Sequence, residues 1–250
     1  MEHKPITKTA SLYRTVSDKH VCPWGLKSKY LLERQGFTIE DHQLKSQAET
    51  EAFKREHGVT TTPQTFIGGE RIGGYEDLRR HLGLAIRDPS AKTYRPVIAV
   101  FAIAAGLALA VSHAAFGSPF TIRAVEWFIA FSMALLAMLK LQDVDKFATM
   151  FLGYDLLARR WVPYAYLYPF AEGLAGLLMA GHALDWLSIP LAAFIGTVGG
   201  ISVFYAVYVQ KRELECACVG GSGKVPLGPV SLLENVMMVA MAIWMLFPHI

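Results

Sequence analysis

Apolar positions follow two different rules on either side of Arg95. Before it they come in short, alternating runs. Ser11 to Val16 and Phe37 to Leu44 read as strands, and Pro23 to Gln35 and Ser46 to His57 as amphipathic helices, the second opened by a serine cap. Thr65 to Ile67 and Arg71 to Ile72 flank the turn Gly68-Gly69, a hairpin signal, and a last helix over Tyr75 to Leu82 follows Gly73-Gly74. The order β-α-β-α-β-β-α predicts a small mixed sheet with helices on its faces.

Beyond Arg95 the apolar residues run on without alternation. Pro96 to Phe116, Ile122 to Leu141, Pro163 to His182, Leu187 to Val209 and Pro229 to Phe247 each approach the roughly 20 residues that cross a bilayer as helix. Between the second and third stretches, Gln142 to Arg160 places Val144, Phe147, Ala148, Phe151 and Leu152 on one helical face, which suits a helix lying in the membrane interface. The chain is therefore expected to divide into an α/β domain over 1–86, a polar linker over 87–95, and an all-α polytopic membrane bundle of about five helices over 96–250. Gly196, Gly199 and Gly200 suit close helix packing better than a phosphate loop.

Charge gives this plan an orientation. Arg87, Lys92 and Arg95 precede the first span; Lys140, Lys146, Arg159 and Arg160 separate the second from the third; Lys211, Arg212 and Lys224 separate the fourth from the fifth. The other two turns carry no Lys or Arg, so the three basic segments are expected on the cytoplasmic side of an inner (plasma) membrane. Tyr94, Trp161, Tyr164 and Trp186 are expected as anchors at the membrane surface. The first residues, Met1 to Pro5, lack an apolar signal-peptide core, which also assigns the first domain to the cytoplasm. The net charge of +3, with no basic face interleaved with aromatics, argues against a nucleic-acid partner. Homo-oligomer formation is left open.

The chemistry rests on three cysteines. Cys22 opens a helix, where unpaired N–H groups and the helix dipole favour a thiolate. Gly25 stands where a Cys-x-x-Cys pair would have its second sulfur, so the partner must come from elsewhere. Cys216 and Cys218, beyond most of the membrane spans, are expected on the same side of the membrane as Cys22. As a disulfide, so short a pair would be strained and easily reduced. As two thiolates it would clamp a thiophilic metal ion such as mercury, copper or zinc. Glu172, near the middle of an apolar span, is a candidate proton relay or ligand, with Glu234 as its partner and Lys140 and Asp143 as more ambiguous candidates. Glu126 is expected nearer the outer face and without a role.

Two resemblances follow from the motifs. Lys19, the turn Cys22-Pro23-Trp24-Gly25, the run Thr61 to Ile67 and the run Gly73 to Leu78 resemble the glutaredoxin pattern in order and spacing, over about Ala10 to Gly83. That resemblance implies a thioredoxin-like fold, a cis peptide before Pro63, and glutathione held by Lys19, Pro23, Trp24, Thr62, Pro63, Gly74, Tyr75 and Glu76. With Gly25 it implies the monothiol variant, suited to glutathione mixed disulfides or to an iron–sulfur cluster. Lys140 to Asp143, Tyr168 to Glu172, and Cys216 to Gly221 before Pro226 to Pro229 resemble the MauE branch of the DoxX-like redox-associated membrane proteins, from about residue 122. The combined expectation is a membrane-bound, glutathione-dependent thiol–disulfide oxidoreductase acting on the Cys216/Cys218 pair, with a quinone or small thiol as further carrier. The alternative expectations are a transporter of a thiophilic metal ion, or of its glutathione conjugate, using the same cysteines, and an iron–sulfur assembly protein.

Overall fold

The computed structural model describes residues 8–17, 20–86, 92–217 and 225–247. The chain forms two compact units, Met1–Pro89 and Ser90–Ile250.

The first unit is an α/β sandwich of β1 (Thr9–Ser17), β2 (His20–Val21), α1 (Pro23–Arg34), β3 (Thr38–Leu44), α2 (Gln47–His57), β4 (Gln64–Ile67), β5 (Glu70–Gly73) and α3 (Tyr75–His81). β1 is central. It pairs parallel with β3, from Thr9↔Thr38 to Thr15↔Leu44, and antiparallel with β4, from Ala10↔Ile67 to Tyr13↔Gln64. β5 continues the sheet beyond β4, and β2, which the periodicity did not reveal, folds back on the end of β1. Alternation along β1 decides what each face buries. Ala10 and Leu12 meet Leu31 and Leu32 of α1 and Leu78 of α3. On the other face Tyr13 stacks on Phe53 of α2 with ring centroids 4.6 Å apart.

The second unit is helical: α4 (Arg95–Phe116), α5 (Ile122–Leu141), α6 (Val144–Leu152), α7 (Leu156–Arg160), α8 (Pro163–Gly181), α9 (Asp185–Phe204), continued by a π-helical turn over Tyr205–Val209, and α10 (Pro229–Met245). All five expected long helices are present. Three of them, Arg95–Phe116, Ile122–Leu141 and Asp185–Val209, are long and apolar enough to cross a membrane. α10 is apolar but only 17 residues long, while α8 is diluted by Tyr164, Tyr166, Tyr168 and Glu172. Glycines let the helices close. A Cβ at Gly176 would lie 2.9 Å from the Ala130 carbonyl oxygen of α5, and one at Gly196 would lie 3.1 Å from the Asn235 carbonyl oxygen of α10.

Two expectations are corrected here. The segment Gln142 to Arg160 is two helices, and the face carrying Phe147, Ala148 and Phe151 is buried against the protein instead of facing lipid, with Phe151 and Tyr168 of α8 4.7 Å apart. Tyr164 belongs to the same aromatic cluster and is buried, so it anchors no surface; Tyr94, Trp161 and Trp186 are exposed.

Candidate functional sites

Cys22 is the N-cap of α1, with Pro23 in the first turn, where a missing N–H costs nothing. It is a free thiol and mostly buried. Its N–H donates to the Thr15 carbonyl at 3.1 Å, and its Sγ lies 4.0 Å from the Thr62 carbonyl oxygen. The Thr62–Pro63 peptide is cis, as the motif resemblance implied. Trp24 is half exposed beside Tyr75, and Lys27 Nζ stands 4.3 Å from the centre of the Trp24 ring. The Gly74 N–H, expected to be offered to a ligand, donates to Asp77 Oδ2 at 3.1 Å. Lys19 lies outside the described residues.

Beneath α1 lies a group that motif reading missed. Arg14, on the inward face of β1, is almost wholly buried and forks onto Asp41 with Nε and Nη2 at 2.7 and 2.8 Å; Lys29 donates to the same carboxylate at 3.0 Å. The Arg14 hydrogen bonds, with Lys29, hold the Asp41 carboxyl down at about 2, and those same bonds raise Arg14. A Cβ at position 25 would lie 2.7 Å from Arg14 Cβ and 3.1 Å from its Cδ. Gly25 is thus glycine because the stem of Arg14 fills the space where a second cysteine would begin. The available signal was a charged residue at an inward position of a strand.

Cys216 is disulfide-bonded, and Cys218 lies outside the described residues. The base of the loop after Cys216 is pinned. Cys216 N–H donates to the Val225 carbonyl at 2.7 Å and Leu227 N–H to the Leu214 carbonyl at 2.8 Å. Cys216 is 1% exposed and accepts a hydrogen bond from Ser231 Oγ at 3.0 Å. Lys92, where the chain enters this unit, reaches Glu213 at 3.3 Å, so the incoming chain and the cysteine loop share one end of the bundle.

Next to Cys216 the membrane candidates converge. Lys140 Nζ donates to both carboxylate oxygens of Glu172, at 2.7 and 2.6 Å, and to Glu234 Oε1 at 2.8 Å, and all three side chains are buried. The two carboxyl groups therefore share one ammonium. Three residues from three helices thus form one cluster, and a cavity of about 20 Å³, room for about one water molecule, is lined by Lys140, Glu234, Cys216 and Ser231 with Tyr154 and Tyr168. Asp143 stands apart: it caps α6 by accepting from the Lys146 N–H at 3.0 Å.

A second buried cluster was not foreseen. Glu126 accepts from Arg123 at 2.9 Å, from Trp244 Nε1 at 2.9 Å and from His182 at 3.2 Å, and Arg123 also contacts His182. It sits at the start of α5, the opposite end from Lys140. Among the described residues no group of three or more His, Cys, Asp or Glu side chains is arranged to hold a metal ion.

Two family models match the chain: glutaredoxin over residues 12–72, and Methylamine utilisation protein MauE over residues 118–248, just over half of its length. The first region is 37% identical over 67 residues to the hybrid peroxiredoxin hyPrx5 of Haemophilus influenzae, covering 27% of this chain and 28% of that protein. The chain therefore spans little more than a quarter of that relative. Identity to glutaredoxin 1 of Rickettsia typhi is 35% over 79 residues, covering 30% of this chain and 72% of that protein. Among solved structures, glutaredoxin 1 from Francisella tularensis complexed with cacodylate matches with a TM-score of 0.28 and 22% identity, over 31% of this chain and 94% of that one.

Proposed function

The chain belongs to the MauE family and carries a glutaredoxin domain ahead of its membrane unit, and from that premise we propose a membrane-bound, glutathione-dependent thiol–disulfide oxidoreductase whose two redox sites lie in one chain. The observation that carries this reading is a free thiol at Cys22 together with a disulfide at Cys216. Cys218, the remaining cysteine, is the proposed partner of Cys216.

The Cys22 thiolate attacks the Cys216 disulfide, forming a mixed disulfide and freeing one thiol. A first glutathione attacks the Cys22 sulfur, freeing the second thiol and leaving Cys22 joined to glutathione. A second glutathione regenerates the Cys22 thiol and leaves as glutathione disulfide. Two glutathiones supply the two electrons, and no resolving cysteine is needed in the domain, in keeping with Gly25. In this reading Trp24, Thr62, Pro63, Tyr75 and Glu76 hold glutathione, with Lys19 at its glycyl carboxylate. The basic residues around the spans support placing the glutaredoxin domain and the Cys216 loop together on the cytoplasmic face of the inner membrane.

The test is the oxidation state of Cys216 in the full chain under glutathione, read by thiol labelling and mass spectrometry. Cys22→Ser is expected to slow reduction at least a hundredfold, and wild-type protein quenched in acid should yield a mixed disulfide containing Cys22. Reduction of Cys22→Ser at the wild-type rate overturns the reading.

A further inference from the structure

We propose that Cys216 is the leaving sulfur when its disulfide is reduced, and that the cluster of Lys140, Glu172 and Glu234 supplies the proton it takes. The proposal deepens the thiol–disulfide reading and rests on it for the exchange itself, but not for the source of the electrons.

Thiol–disulfide exchange needs a thiolate to approach one sulfur in line with the S–S bond, and the other sulfur leaves with the electron pair. Cys216 is 1% exposed, with Ser231 Oγ 3.0 Å from its sulfur. Attack therefore falls on the partner sulfur, and Cys216 departs into the protein. A thiolate born there has lost its water, a penalty that an unpaired buried ion cannot recover from its surroundings. Two features answer that penalty. Ser231 donates a hydrogen bond straight to the sulfur, and Lys140 opens on the same cavity of about 20 Å³, which has room for one water between them. Asn235 also lines the cavity, and its Oδ1 is buried without a hydrogen-bond partner, as expected where a water belongs.

The cluster is built to give one proton. A single ammonium serves two buried carboxyls, so the site is neutral only when one further proton is held on the pair. On reduction Lys140 protonates the departing sulfur through the water and is refilled from the carboxyl pair; on reoxidation the proton returns. Tyr154 and Tyr168 are the other ionisable side chains that line the cavity. With dithiothreitol as reductant, the dithiol loses two electrons and two protons to become a cyclic disulfide. Cys216 gains its proton from the cluster, and the partner sulfur gains one from solvent.

Two measurements on the full chain in detergent decide the matter, and neither depends on Cys22. In the first, Cys22→Ser protein is pulsed with excess glutathione and quenched in acid. Mass spectrometry is expected to find the adduct on Cys218 with Cys216 as a free thiol, and an adduct on Cys216 overturns the assignment. In the second, the rate of disulfide reduction by dithiothreitol is followed from pH 6 to pH 9. Glu234→Gln is expected to slow it about tenfold at pH 7 and to alter the pH profile, whereas Ser231→Ala slows it with the profile kept. An unchanged rate and profile in Glu234→Gln overturns the proton supply. If that variant does not fold, a reduced-minus-oxidised infrared difference spectrum of the wild type replaces it. A changed carboxyl band upholds the proposal and silence in that region defeats it. Failure of the proposed function would appear separately, as glutathione-driven reduction indifferent to Cys22→Ser.

Discussion

The two sulfur sites of this chain are built in opposite ways. Cys22 caps the start of α1 and is 7% exposed, beside a half-exposed Trp24, with the Thr15 and Thr62 carbonyls against it. Cys216 is sealed in a helical unit, and the groups around it come from positions 140, 172, 231 and 234 on three different helices. A sulfur at a helix start that keeps a small opening can be approached by a soluble thiol; a sealed one must be handled by the protein around it. The largest expected effect tests that dependence on buried charge. Lys140→Met removes the cation and leaves two carboxyls facing each other out of water, a defect worth about 3–5 kcal/mol. Thermal unfolding in detergent should show the helical unit lost or severely destabilised while the glutaredoxin domain unfolds as in the wild type. Equal stability of both units would remove the contrast between the sites.

A smaller effect sharpens the other half of the comparison. Glycine at position 25 reads in sequence as a missing sulfur, but the structure makes it a filled space, because Arg14 lies against it and is held by Asp41. Gly25→Cys should therefore destabilise the domain by about 2 kcal/mol through overpacking, and the introduced thiol should form little disulfide with Cys22 on mild oxidation. Adding Arg14→Gly removes the Cβ that lies 2.7 Å away together with the rest of the stem, and the double variant should close that disulfide readily. Mass spectrometry of oxidised, alkylated protein distinguishes the two. If Gly25→Cys alone closes as readily as the double variant, Arg14 does not set the one-thiol character of the domain.

The same contrast explains what the sequence could show. The glutaredoxin unit was legible almost entire, since alternation in β1 and β3, the Ser46 cap and the Gly68-Gly69 turn are local signals, and its motif residues are neighbours in sequence. β2 escaped because two residues carry no period. In the helical unit the segments were legible but their partners were not. Glu172 was suspicious as a lone acid in an apolar helix, yet nothing within α5, α8 or α10 states that Lys140, Glu172 and Glu234 meet. The cluster around Glu126 was missed for the same reason: Arg123, His182 and Trp244 lie on three different segments, and each taken singly is an ordinary residue at a helix end. The face of α6 was read correctly as apolar and assigned to lipid, because periodicity gives the side that is buried and not what buries it.

The smallest effect concerns the ion pair under α1. Asp41 is held at about 2 in the folded domain, below the ordinary value near 4 of an unfolded chain. A carboxyl depressed in this way contributes stability that is fully present above pH 4 and is lost as the pH falls towards 2. Because the Asp41 side chain is 16% exposed and Lys29 35%, solvent screening reduces that contribution to about 1 kcal/mol. Asp41→Asn cannot titrate, and it leaves Arg14 without its carboxylate at every pH. Wild type and variant should therefore differ most at pH 4 and above and converge between pH 4 and pH 2, the other carboxyls being common to both. Pulse proteolysis of the full chain with pepsin, which works in that range, reads the difference directly. A gap that stays constant down to pH 2 would mean that Asp41 does not take up its proton there, and that the support beneath the Cys22 helix is as insensitive to acid as an apolar core.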